Sequence, residues 1–210
     1  MSTQPARTHG RIVPANLAQA AIVVAGFAVL LYLIELLDVI LPADLDQNGI
    51  VPRTLGGLDG ILWAPLLHAD WGHLIGNTIP LLAFAFLAMA NGLAQWAVVT
   101  GTIWIVSGVG VWLAGNSDTV TVGASGLCFG WLLFLLVRGI FNRSLLQLGV
   151  AALLFLYWGS MLFGVLPGDP HISWQGHLFG ALGGVLAAWL AAKATKSAAA
   201  EKPAPGTFTV

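Results

Sequence analysis

A chain of 210 residues that is 58% hydrophobic, 8% charged and carries a net charge of −1 cannot cover a water-facing globule. A soluble domain has roughly a quarter of its residues charged, so the composition excludes that class and points to the lipid bilayer as the main partner. There is no basic patch suited to nucleic acid, and the one cysteine, Cys128, excludes an internal disulfide.

A helix needs about 20 apolar residues to cross the hydrocarbon, so the spans can be counted between charges. Residues 1–11 hold Arg7 and Arg11 and read as a polar N-terminal tail. Ile12 to Ile34 is uncharged and gives span one. This run lacks a small-x-small cleavage site and is followed by further spans, so it reads as a retained helix rather than a cleaved signal. Segment 35–70, ELLDVILPADLDQNGIVPRTLGGLDGILWAPLLHAD, mixes acids, prolines, glycines and apolar clusters. It reads as a long outer loop with short helices at the membrane interface, where Trp63 would anchor.

Trp71 to Ser117 is free of formal charge but too long for one helix, and NGLAQ at 91–95 divides it into spans two and three. Val120 to Val137 gives span four, Ser144 to Gly168 span five, and His171 to Ala192 span six. The tail 193–210, KATKSAAAEKPAPGTFTV, is small, charged and proline-bearing, and reads as disordered. The expected architecture is therefore an all-α membrane protein: a six-helix domain over 12–192, with a long outer loop between its first two helices. With six spans both termini share a side. Seven of the eight positive charges (Arg7, Arg11, Arg138, Arg143, Lys193, Lys196 and Lys202) fall there and only Arg53 falls opposite. That bias predicts cytoplasmic termini.

Polar groups are costly in hydrocarbon and start as functional candidates. His73, Asn77, Ser125 and His177 all fall near the outer ends of spans two, four and six, so three helices bring them to one depth. Ser125 lies in GASG, 123–126, where a loop turns into span four. It could be a helix cap flanked by packing glycines. The tetrapeptide by itself favours that reading, but it also suits a nucleophile beside the free N–H groups and positive dipole end of a helix start. His177 lies in GHLFGALGG, 176–184, with Gly176, Gly180 and Gly184 on one stripe, and span four offers Gly126 and Gly130 at the same spacing. Such stripes allow close helix contact. His177 is then either a histidine satisfied by a backbone carbonyl or a base within reach of Ser125. No carboxylate is available in these spans, so the pair would be a dyad. His73 and Asn77 are one turn apart and suit donors to an oxyanion. His68 and His73 lack the spacing of a zinc-protease pair, and neither a metal nor a cofactor is expected.

HADWGHLIGN at 68–77, GASG at 123–126 and GHLFGALGG at 176–184 together resemble the rhomboid intramembrane serine proteases, over about residues 50–192. The resemblance implies a six-helix fold with a water-filled cavity open to the outer side, and cleavage of transmembrane substrates near the membrane surface. Matched by motif, Ser125 would be the nucleophile and His177 the base. His73, Asn77 and the Ser125 N–H would form the oxyanion hole. His68, Gly123, Gly126, Phe129, Gly176 and Gly180 would support the site, and span five with LPGDPHISWQG at 166–176 would gate it. Two departures stand out. Phe129 replaces the family's frequent tyrosine, which keeps a ring to stack on the histidine. The family's Trp–Arg pair in the first loop is reduced to VPRT and a separate Trp63. The span arrangement predicts a bacterial inner-membrane protein. The competing class is an inactive relative that binds client helices without cutting them. A small transporter would call for an intramembrane carboxylate or a broken helix pair, and neither is evident.

Overall fold

The computed structural model describes residues 10–42, 44–169 and 172–200, and the expected N-terminal tail lies mostly outside them. Its long helices are α1 (Leu17–Ile40), α3 (Trp71–Ala88), α4 (Leu93–Ala114), α5 (Ser125–Asn142), α6 (Leu145–Trp158) and α7 (Trp174–Ala200), with one short helix, α2 (Gly60–Trp63), in the long loop. Six stretches are long and apolar enough to cross a membrane: these six helices, with α3 continued to Asn91 and α6 to Val165 by 3-10 turns. This is the all-α six-span bundle the sequence predicts. Among the described residues there is no strand, only an isolated antiparallel bridge between Ile50 and Thr121.

The boundaries follow from local chemistry. Asn16 caps α1, its side chain accepting from the Gln19 N–H at 3.0 Å. The helix runs to Ile40 and ends where Leu41 turns extended ahead of Pro42, since proline disfavours helix in the residue before it. Span one is thus shifted by about a turn and a half from the expected Ile12–Ile34, because two acids did not end it. Glu35 and Asp38 are helical, and Glu35 is buried. Asp70 caps α3 through the His73 N–H at 2.8 Å. Gly92, at φ +101°, supplies the left-handed joint between spans two and three.

Span four is shifted in the same direction, running Ser125–Asn142 in place of the expected Val120–Val137. It continues through Arg138 to Asn142 and stops at Arg143, which adopts the left-handed conformation. Arg138 is 3% exposed and donates to the Leu87 carbonyl at the end of α3 (3.3 Å), where the helix dipole favours a cation. Helix α7 carries on to Ala200, so the first part of the tail expected to be disordered is helical; residues 201–210 lie outside the described residues.

Helix α5 is the most buried span and α6 the least: 56% and 11% of their most apolar stretches are buried, respectively. Trp131, Phe134, Leu132 and Leu135 of α5 form the centre of the main apolar cluster. The long loop folds onto α4. Trp104 donates to the Ile61 carbonyl at 2.8 Å and Trp112 to the Thr54 carbonyl at 2.9 Å. Arg53 closes the end of α4 by donating to the carbonyls of Leu113 and Gly115 and to the Ser117 hydroxyl. Trp63 is half-exposed, as an anchoring residue would be.

Candidate active site

The site sits at the end of the bundle that carries the long loop, where α3, α5 and α7 all begin. The backbone leading into α5 is held on several sides. Thr121 pairs with Ile50, the Gly123 N–H donates to the Ala64 carbonyl (2.8 Å), and the Ala124 N–H donates to His68 Nε2 (3.3 Å). Gly123 has φ +115°, and a Cβ there would lie 2.5 Å from His73 Cε1, so both conformation and space require glycine. The N-cap of α5 is Ala124, and Ser125 is the first helical residue. The cap reading of Ser125 is therefore overturned: its hydroxyl is not used on its own helix.

That hydroxyl lies 2.9 Å from His177 Nε2. His177 Nδ1 lies 2.9 Å from the Gly164 carbonyl, in the 3-10 segment that follows α6. A carbonyl only accepts, so Nδ1 carries the ring proton and Nε2 is left bare to accept from Ser125. The Phe129 ring stacks on His177 at 4.0 Å and 10°, so the loss of a tyrosine hydroxyl leaves the stacking intact.

The two helices can approach this closely because of their glycines. A Cβ on Gly180 would lie 2.9 Å from the Gly126 carbonyl carbon, and one on Gly184 would lie 2.8 Å from that of Gly130. Gly126 faces the Gly176 carbonyl and the Ser107 hydroxyl in the same seam. Ser107, on α4, donates to the Gly176 carbonyl at 2.9 Å and ties the start of α7 to a third helix.

A cavity of about 1330 Å³ opens over the pair, lined among others by His73, Asn77, Gly123, Ser125, Gly126 and His177. Asn77 is buried, and its Nδ2 has no partner among the described residues. Behind it, Cys128 is fully buried, with its thiol 3.9 Å from the Asn77 carbonyl. His68 is 2% exposed, and its ring meets His73 edge to face at 5.2 Å.

A family model, the rhomboid domain, matches residues 57–194, well over half of the chain. The chain belongs to the rhomboid family. It is 45% identical to an uncharacterized protein of Mycobacterium tuberculosis strain H37Rv over 186 residues, which cover 85% of this rhomboid and 78% of the relative. It is 29% identical to the "Putative rhomboid protease YdcA" of Bacillus subtilis over 151 residues, 69% of this rhomboid and 74% of the relative. The "Rhomboid-like protease 5" of Toxoplasma gondii is 32% identical over 151 residues, 68% of this rhomboid but 17% of that longer protein.

The residues singled out in this rhomboid's sequence thus converge in space, with His68 one layer behind the cavity wall. Two contributors escaped the sequence reading. Ser107 could have been noticed as the one serine in span three. Gly164 acts through its main-chain oxygen, which no side-chain pattern can reveal.

Burial, reinforced by the neighbouring His73 and opposed only by Asp70, pushes the His68 imidazole down from 6.5 to about 4. Well above pH 6.5 His68 is uncharged in both folded and unfolded chains. As pH falls from about 6.5 to about 4 the unfolded chain takes up a proton that the folded site refuses, so stability is lost across that window. Thermal unfolding in detergent should therefore fall more steeply over this range for the wild type than for His68→Gln. The glutamine oxygen can accept the Ala124 N–H without titrating. Equal slopes would show that His68 does not contribute to the pH dependence.

Proposed function

We propose that this rhomboid is a serine endopeptidase that cuts transmembrane substrates near the outer face of a bacterial cell membrane. The observation that carries this reading is the 2.9 Å contact of Ser125 Oγ with an imidazole whose other nitrogen is already committed to a carbonyl. A hydroxyl becomes a nucleophile when a positioned base can take its proton as it attacks. Ser125 Oγ adds to the scissile carbonyl carbon while its proton passes to His177 Nε2. The tetrahedral intermediate collapses, and the leaving amine takes that proton from His177. Water entering through the cavity then attacks the acyl ester, with His177 again accepting and returning the proton, which frees the acid and restores Ser125.

The negative oxygen of both intermediates needs donors aimed at it. The unpartnered Asn77 Nδ2, the His73 ring and the Ser125 N–H in the unpaired first turn of α5 are suited to that task. Asn77→Ala should lower kcat by roughly 10²–10³-fold with KM little changed, because the donor is used chiefly in the transition state. The positive-charge bias supports cytoplasmic termini, with the cavity mouth on the opposite side.

Purified wild type in detergent should be labelled at Ser125 by a fluorophosphonate and should cleave a single-span substrate in liposomes, with His177→Ala doing neither. If the wild type fails to label, the reading gives way to an inactive rhomboid that binds client helices.

A further inference from the structure

The residue that orients the base is not on the same rigid body as the base. Ser125, Phe129 and His177 belong to α5 and α7, which are locked together by the glycine seam. The carbonyl that holds His177 Nδ1 belongs to Gly164, in the Gly159–Val165 segment at the end of α6. That span is the least buried of the six. Leu153, Phe155, Leu156, Tyr157 and Phe163 along it are all more than half exposed. Its inner end is fixed, since Gln147 is buried, accepting from Asn142 Nδ2 (2.9 Å) and donating to the Arg11 carbonyl (3.1 Å). Toward its other end, the Trp158 ring rests edge-on against Phe84 of α3 at 5.1 Å. Gly164 itself fits without space to spare: a Cβ there would lie 2.9 Å from Phe129 Cζ and 3.2 Å from His177 Nδ1.

We infer that the Gly164 main-chain carbonyl is the positioning group of the dyad, standing where a triad has its carboxylate. Because it rides on the loosely packed end of α6, the base is oriented only while that end is docked. This rests on the protease reading given above. The physical reason is that a neutral imidazole has two tautomers, and only the one with the proton on Nδ1 can accept from Ser125. The Gly164 carbonyl selects that tautomer and fixes the ring plane; with the end of α6 displaced, nothing else among the described residues bonds to Nδ1. Displacement of α6 for substrate access would then disarm the dyad, and redocking would rearm it.

Gly164→Ala tests the first half. It should lower kcat about 10–100-fold at near-constant KM and slow fluorophosphonate labelling of Ser125 in parallel. A misplacement of about 1 Å near the chemistry is enough for a loss of that size. Gly149→Ala, on the same helix with nothing within 4 Å of its Cβ, should match the wild type. In a Gly164→Ala sample whose unfolding midpoint matches the wild type, the 15N signals of His177, assigned by difference from His177→Ala, read the tautomer apart from any loss of fold. They should report a proton on Nδ1 in the wild type and a mixed tautomer in Gly164→Ala. Trp158→Ala tests the coupling: freeing the end of α6 should slow labelling of Ser125 by the small probe, whereas a simple gate would leave it unchanged or faster. Wild-type kcat or unchanged His177 signals in Gly164→Ala would overturn the positioning role. Undiminished labelling in Trp158→Ala would overturn the coupling. A wild type that neither labels nor cleaves would instead defeat the protease reading, and the 15N signals would still report on the carbonyl.

Discussion

Ser125→Ala should reduce cleavage of a single-span substrate in liposomes by about 10⁴-fold or more, and His177→Ala should do nearly the same. Residues that act as one unit are not additive, so the double variant should be barely worse than either single one. Among the described residues the serine hydroxyl bonds to His177 Nε2 alone, and α5 is not capped by it. Losing the oxygen should therefore leave the fold untouched, with the thermal unfolding midpoint close to that of the wild type. Full activity in either single variant would remove Ser125 and His177 from the mechanism.

Gly184→Ala is expected to damage both the fold and the activity of the protein. The added Cβ would overlap the Gly130 carbonyl oxygen and lie 2.8 Å and 3.0 Å from the Gly130 carbonyl carbon and Cα. These are backbone atoms, so no rotamer change relieves the clash, and α5 and α7 must separate. Overpacking of this kind costs about 1–3 kcal/mol. Here the same separation would also stretch the 2.9 Å contact between Ser125 and His177 two turns away. Unfolding in detergent and cleavage should fall together. Gly26→Ala, with nothing within 4 Å of its Cβ, should leave both unchanged or gain slightly in stability, since alanine is the better helix former. If Gly184→Ala is as stable and as active as Gly26→Ala, the seam is looser than its geometry implies.

Much of this protein follows from its residues in order. Low charge and long apolar runs force a membrane fold, because backbone polar groups in hydrocarbon must be satisfied within helices. Glycines at intervals of four on spans four and six mark the seam, because that interval places them on one face. Charge gaps did less well at helix ends. They took Glu35 and Arg138 for boundaries, whereas the ends are set by Pro42 and by the left-handed Arg143. A charge can remain helical wherever a packed neighbour or a helix dipole receives it.

The convergence of Ser125, His177, His73 and Asn77 at one depth was legible, because span order and helix starts fix depth. The contact itself was decided only by the tertiary structure. A serine beside glycines reads first as a cap until the seam brings His177 Nε2 to 2.9 Å and Ala124 is seen in the cap position. The histidine's tautomer is likewise invisible in sequence, since it is set by the Gly164 main-chain oxygen, a group every residue possesses and only folding can aim.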